Sequence, residues 1–217
     1  MRYDAVVFDN DGVLTTPTDH EALRRAIYTA FDEVGVSSPA DDHVDTLLSP
    51  TVDALREIAE GHGVEATALW EARERAAIAV QAEEIRAGRK TLYDDVDSLE
   101  SLPVPRAIVS NNQHETIETI VDHFGLDEYG FDPWYGREPT VDGIERKKPT
   151  PYYLERAIDE MGVENPLYVG DSRVDITAAN ACGIDSAYVH RPHREGYELP
   201  ERPTHELESL EDLRTLL

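Results

Sequence analysis

The stretch Ala5-Val6-Val7-Phe8-Asp9-Asn10-Asp11-Gly12-Val13-Leu14 decides the fold. Its unbroken apolar run reads as a strand buried on both faces, the centre of a parallel sheet. In open parallel sheets the ligand crevice lies outside the carboxyl ends of the strands, so rigid backbone delivers Asp9 and Asp11 to that crevice. Two carboxylates so spaced can hold a hard divalent cation, or divide the roles of nucleophile and acid/base. The same residues also suit an ordinary turn, since Asp, Asn and Gly all favour turns. An EF-hand calcium loop fits poorly, because Gly12 is fourth from Asp9 and that loop needs its glycine sixth.

The next good strand, Ala107-Ile108-Val109-Ser110, begins almost a hundred residues later, far beyond the needs of a single crossover helix. Residues 16–90 read as an inserted helical unit, placed as a lid over the Asp9/Asp11 turn. Thr18-Asp19-His20-Glu21 forms a capping-box pattern before apolar Leu23, Ile27, Ala30, Phe31 and Val34, and Gly35 ends that helix. Further helices are expected over Val44–Leu48, Thr51–Ala59 and Glu65–Ala87. After residue 92 strands and helices alternate, the pattern of βαβ units. Helices are expected within 92–102 and over 115–124, 150–161 and 175–182; strands at 131–135, 167–169 and 186–189. A loop over 190–204 precedes a terminal helix, Leu207–Leu216.

Three further sites join the first. Ser110, with Asn111 and Asn112 behind it, offers a hydroxyl and helix-start amides to an anion, or serves simply as an N-cap. Lys148, directly before Pro149, is a point charge suited to a phosphoryl oxygen and is preferred to Lys147. Gly170-Asp171-Ser172-Arg173-Val174-Asp175 puts Asp171 at a strand end, able to complete a metal site with Asp9. Asp175 either supports the helix start as a capping box with Ser172 or takes part in catalysis.

Each element is weak alone, but their order and setting resemble the haloacid dehalogenase-like (HAD) hydrolase superfamily over residues 1–15 and 91–217. The insertion 16–90 is similar to its type-1 helical cap, as in phosphoglycolate phosphatase and β-phosphoglucomutase. The resemblance implies an α/β fold: a Rossmann-like parallel sheet core with helices on both faces plus an inserted all-helical cap. It also implies a phosphatase of a small phosphorylated metabolite, phosphoglycolate or a sugar phosphate. Asp9 would be the nucleophile that forms an aspartyl-phosphate and Asp11 the acid/base. Ser110 and Lys148 would hold the phosphoryl oxygens. Mg²⁺ would be bound by Asp9, the Asp11 carbonyl and Asp171, with Asp175 and Asn111 behind them. The presence of Asp11 argues against a true haloalkanoate dehalogenase. A phosphomutase, for which His20 and Thr16 offer a loose match, and a non-catalytic binding module are the alternatives.

The 217 residues suit one domain with a large insertion, ample for a hydrophobic core. A lone cysteine, Cys182, excludes an intrachain disulfide and reads as a small buried thiol. No leader and no apolar run near the ~20 residues of a membrane span is evident, so a cytoplasmic protein is expected. Monomer and homodimer stay equally open. The formal charge of −25 argues against nucleic acid or anionic membrane as partner, since both demand basic surface. The 45 acids are spread along the chain, against 17 Arg and only Lys90, Lys147 and Lys148. That self-repulsion is typical of halophilic proteins and is screened by salt, the Debye length shrinking to about 3 Å at 1 M. We therefore expect the thermal unfolding midpoint to rise as KCl is taken from millimolar to molar; a flat or falling midpoint would contradict salt adaptation.

Overall fold

A computed structural model describes residues 2–217. Six parallel strands form one sheet in the order β3-β2-β1-β4-β5-β6. They are β1 (Ala5–Phe8), β2 (Arg106–Gln113), β3 (Phe131–Arg137), β4 (Pro166–Gly170), β5 (Asp185–Val189) and β6 (His205–Leu207). The chain builds outward from β1 in one direction through β2 and β3, and in the other through β4 to β6. Its strand order therefore reverses at β1, where an α/β sheet opens its crevice.

Both faces of the sheet are covered, which accounts for the unbroken apolar runs. Val6, Phe8, Ile108 and Val169 pack on one side with Ile117, Ile120 and Val121 of α5 (His114–Phe124). Val7, Ala107, Val109 and Tyr168 pack on the other with α7 (Tyr152–Met161) and α8 (Arg173–Cys182). Between β1 and β2 lie α1 (His20–Glu33), α2 (Asp41–Leu48), α3 (Val52–His62) and α4 (Ala66–Arg86), with their own core of Ile27, Phe31, Leu47, Leu55, Leu69 and Trp70. The chain's two passages to and from these helices run side by side, Thr15 bridging to Leu92 and the Thr16 amide donating to the Thr91 carbonyl at 2.8 Å.

Several local expectations change. Asp19, not Thr18, caps α1, accepting from the Ala22 amide at 2.9 Å. Thr18 is turned inward and donates to Gln81 at 3.0 Å. The segment expected as a terminal helix from Leu207 divides: His205–Leu207 adds β6 to the edge of β5, and a 3-10 helix follows over Leu210–Thr215. Three residues are too few to show a strand's alternation. A short helix α6 (Val141–Arg146), capped by Thr140, places Ile144 in the core of the inserted helices. The helix within 92–102 is a 3-10 turn over Val96–Ser101. Cys182 is half-buried, and burial raises its thiol pKa to about 12.

One polar tie fixes the turn after β1 from behind. The Arg191 guanidinium grips Asp95 at 2.8 and 3.0 Å and donates to the Val13 carbonyl at 2.6 Å. Asp95 also accepts from the Leu210 amide and the Ser209 hydroxyl. Burial works to raise the Asp95 pKa, but these hydrogen bonds and the Arg191 charge prevail and lower it. A depressed carboxylate stabilises the fold above its unfolded pKa, about 3.9, and that contribution is lost as pH falls through the folded value. Asp95→Asn is expected to cost about 2 kcal/mol at pH 7, toward the low side for a partly exposed pair. The gap to the native chain should narrow below about pH 4, as read by denaturant unfolding at both pH values.

Candidate active site

The ends of β1, β2 and β4 converge on one cleft. Asp9 directly follows β1, its amide donating to the Val169 carbonyl of β4 at 2.9 Å. Asp171 directly follows β4, and Asp175 sits in the first turn of α8. Asp175 caps the helix start, as one reading of the sequence has it, and also contacts Lys148. One oxygen accepts from the Ser172 amide at 3.1 Å as a helix cap, and the other accepts from Lys148 Nζ at 2.7 Å.

Lys148 is the hub, 3% exposed. Its Nζ lies 2.9 Å from Asp9, and it donates to the Tyr168 hydroxyl at 2.7 Å and the Val109 carbonyl at 3.1 Å. Asn111 holds its backbone from both sides, accepting from the Lys148 amide at 2.7 Å and donating to the Lys148 carbonyl at 3.0 Å. Burial alone would lower the Lys148 pKa; the Asp175 and Asp9 charges and their hydrogen bonds more than reverse this. Ser110 is buried on the same cleft, its hydroxyl accepting from the Asn112 amide at 3.2 Å. The sequence placed a helix start directly behind Ser110, but β2 continues to Gln113.

Asp9, Asp171 and Asp175 each offer an oxygen within 4.8 Å of the others. Burial pushes the Asp9 pKa up; Lys148 opposes the rise, and the Asp175 and Asp171 charges add to it. Asp171 accepts from His193 Nε2 at 2.7 Å and Arg194 Nε at 2.9 Å; burial acts to raise its pKa, but these partners lower it. Clustered buried carboxylates form an all-oxygen donor set of the kind a hard divalent cation prefers. Gly12 and Gly170 make room for them. A Cβ on Gly12, whose φ is +83°, would run into the Asp171 carboxylate, and one on Gly170 would run into Asp175.

The Asp11 carboxylate stands apart from that cluster. Lys90, 1% exposed, donates to it at 2.6 Å and also to the Thr16 carbonyl at 2.9 Å. Asn112 donates to its other oxygen at 3.0 Å. Lys90 returns from α4 at the paired passages beside Thr16, so one ammonium touches both Asp11 and the root of the insertion. The sequence marked neither Lys90, counted there only as one of three lysines, nor Tyr168, which reads as a core aromatic.

The inserted helices and the turn after α2 complete a cleft of about 270 Å³ through Leu23, Leu48, Ser49, Trp70, Arg73 and Gln81. From the sheet side Asn112, Arg137 and Lys147 also reach it. His20 does not line it; its exposed ring lies 3.8 Å from Glu21.

Comparison with known proteins assigns this architecture. A family model described as haloacid dehalogenase-like hydrolase matches residues 3–183, and the chain belongs to that family of hydrolases. It is 26% identical over 216 residues to pyrophosphatase PpaX of Halalkalibacterium halodurans, covering 98% of this chain and 96% of that one. It is 29% identical over 189 residues to phosphoglycolate phosphatase of Pectobacterium atrosepticum, covering 83% and 77%. Among solved structures, CbbY of Rhodobacter sphaeroides in complex with phosphate superposes with a TM-score of 0.69 at 21% identity, over 97% of this chain and 96% of that one.

Proposed function

We propose that the chain is a divalent-metal-dependent phosphatase of small phosphorylated metabolites, with residues 16–90 as a cap over a core of 1–15 and 91–217. One observation carries the reading: a buried strand-end carboxylate, Asp9, 2.9 Å from a buried ammonium and grouped with two further carboxylates, in a chain of the hydrolase family. The names of several relatives, pyrophosphatase, phosphoglycolate phosphatase and 5′-nucleotidase, support the substrate class, and Asp11 weighs against the (S)-2-haloacid dehalogenase activity named for two others. Phosphoglycolate is the first metabolite to assay. With His20 turned away from the cleft, no observation favours a phosphomutase.

Phosphoryl transfer asks for positioning and for neutralisation of charge around an in-line displacement. In this reading an Asp9 oxygen attacks phosphorus as the ester P–O bond breaks. The leaving oxygen takes a proton from Asp11, and the phosphoryl group rests on Asp9 as an acyl phosphate. Asp11 then takes a proton from water as that water attacks phosphorus, breaking the Asp9–phosphate bond and releasing orthophosphate. Lys148 and Ser110 hold the transferring oxygens, while Asp175, Tyr168 and Asn111 hold Lys148. Asp9, the Asp11 carbonyl and Asp171, with Asp175 close by, would hold Mg²⁺, whose charge offsets that of the phosphoryl oxygens when bound. Lys90 is a positioning residue that keeps the Asp11 carboxylate in place.

Hydrolysis of p-nitrophenyl phosphate should require Mg²⁺, stop with EDTA and vanish in folded Asp9→Asn. Activity retained in that variant would remove Asp9 as nucleophile. Lys90→Met should reduce kcat about 10- to 100-fold with little change in KM, since a small displacement of an acid/base group costs on that order. A change confined to KM would place Lys90 in substrate binding instead.

A further inference from the structure

One part of the cleft wall gathers positive charge in a chain of net charge −25. Arg73 from α4, Arg137 from the end of β3 and Lys147 from the turn after α6 all line it. Two of these cations are tightly supported. The Arg73 and Arg137 guanidinium groups lie 5.0 and 4.9 Å from the Trp70 ring. They share one buried carboxylate, Glu74, at 2.6 and 3.0 Å, and Arg73 also donates to the Leu47 and Leu48 carbonyls.

Lys147 has no such partner. Its ammonium donates to two neutral oxygens, Ser49 Oγ at 3.0 Å and the Pro50 carbonyl at 2.8 Å. Among the described residues no carboxylate lies within ion-pair distance of it. Burial, and then the charges of Arg137 and Arg73, lower its pKa to about 8. An ammonium with three donors has one left over here. Three cations against one carboxylate leave this wall with an excess of about two positive charges near neutral pH. Even half-buried, as Lys147 is, uncompensated charge is costly unless an opposite charge arrives to share the site.

We propose that Lys147, in the field of Arg137 and Arg73, binds a second anionic group of the substrate, a carboxylate or a further phosphate, distinct from the phosphoryl group transferred at Asp9. The proposal rests on the phosphatase reading for its orientation and narrows the substrate to small phosphate esters carrying two anionic ends. Lys147 also ties the sheet side to the turn after α2. A purely structural tie would affect every ligand alike, so selectivity between matched ligands is the informative quantity.

The test measures binding by calorimetry at one fixed KCl concentration. It compares 3-phosphonopropionate with propylphosphonate, matched ligands with and without the second anion; propane-1,3-bisphosphonate tests a phosphate-like end. The native chain should bind at least one of the two doubly anionic ligands tenfold or more tightly than propylphosphonate, and whichever is tighter identifies the group. Lys147→Gln should reduce that ratio about tenfold, and Lys147→Arg should keep most of it. Equal affinities in the native chain overturn the proposal, as does a ratio unchanged in Lys147→Gln. If Lys147→Gln does not fold, the native ratio decides. Turnover of p-nitrophenyl phosphate and of phosphoglycolate, which carries both anionic ends, read in parallel separates the two ideas. Hydrolysis without a binding preference defeats the second-anion site alone, while a preference without hydrolysis defeats the phosphatase reading alone.

Discussion

The placement of Lys148 Nζ among Asp9, Asp175, Tyr168 and the Val109 carbonyl is the constraint on which the centre of the molecule depends. Its partners come from three adjacent strands, Asp9 just after β1, Val109 within β2 and Tyr168 within β4, and from the first turn of α8. That ammonium is therefore satisfied only if β1, β2 and β4 hold their register and α8 starts where it does. Taking these charges out of water costs several kcal/mol per ion, and only close pairing with every donor used offsets it. Removing the lysine would strand two buried carboxylates, so the packing of the core and the chemistry of the cleft share one contact. Tyr168 belongs to both: its ring packs against α7 and α8 while its hydroxyl donates to the Val109 carbonyl.

What was legible in the sequence follows from how local each signal is. The β1 run and its two acids, the Gly170-Asp171 strand end and the Lys-Pro step announce themselves within a few residues, and the structure brings Asp9, Ser110, Lys148, Asp171 and Asp175 to one cleft. The four inserted helices were expected within a few residues of their observed ends, the first from its apolar spacing and Gly35. β6 and α6 did not, because three and six residues carry too little periodicity and owe their form to the strand and helices they meet. Lys90 and Arg137 were hidden for another reason: each matters through partners tens of residues away, Asp11 in one case and Glu74 and Trp70 in the other. Only a folded chain reveals such pairings.

Charge in this molecule is arranged on two scales that oppose each other. At long range a chain of −25 repels an anionic metabolite, slowing encounter. At short range Lys147, Lys148, Arg73 and Arg137 line a cleft of about 270 Å³ together with Asp9, Asp11 and Asp171, so an anion meets paired cations there as well as acids. Salt acts unequally on the two, because screening works through solvent and weakens sharply once charges are buried. Rising ionic strength thus removes the repulsion between surface and substrate while leaving the cleft's contacts largely intact. In the salt-adapted reading the acidic surface and the paired charges of the cleft are then compatible: salt screens the outside, while Lys90 and Lys148, buried against carboxylates, feel it least.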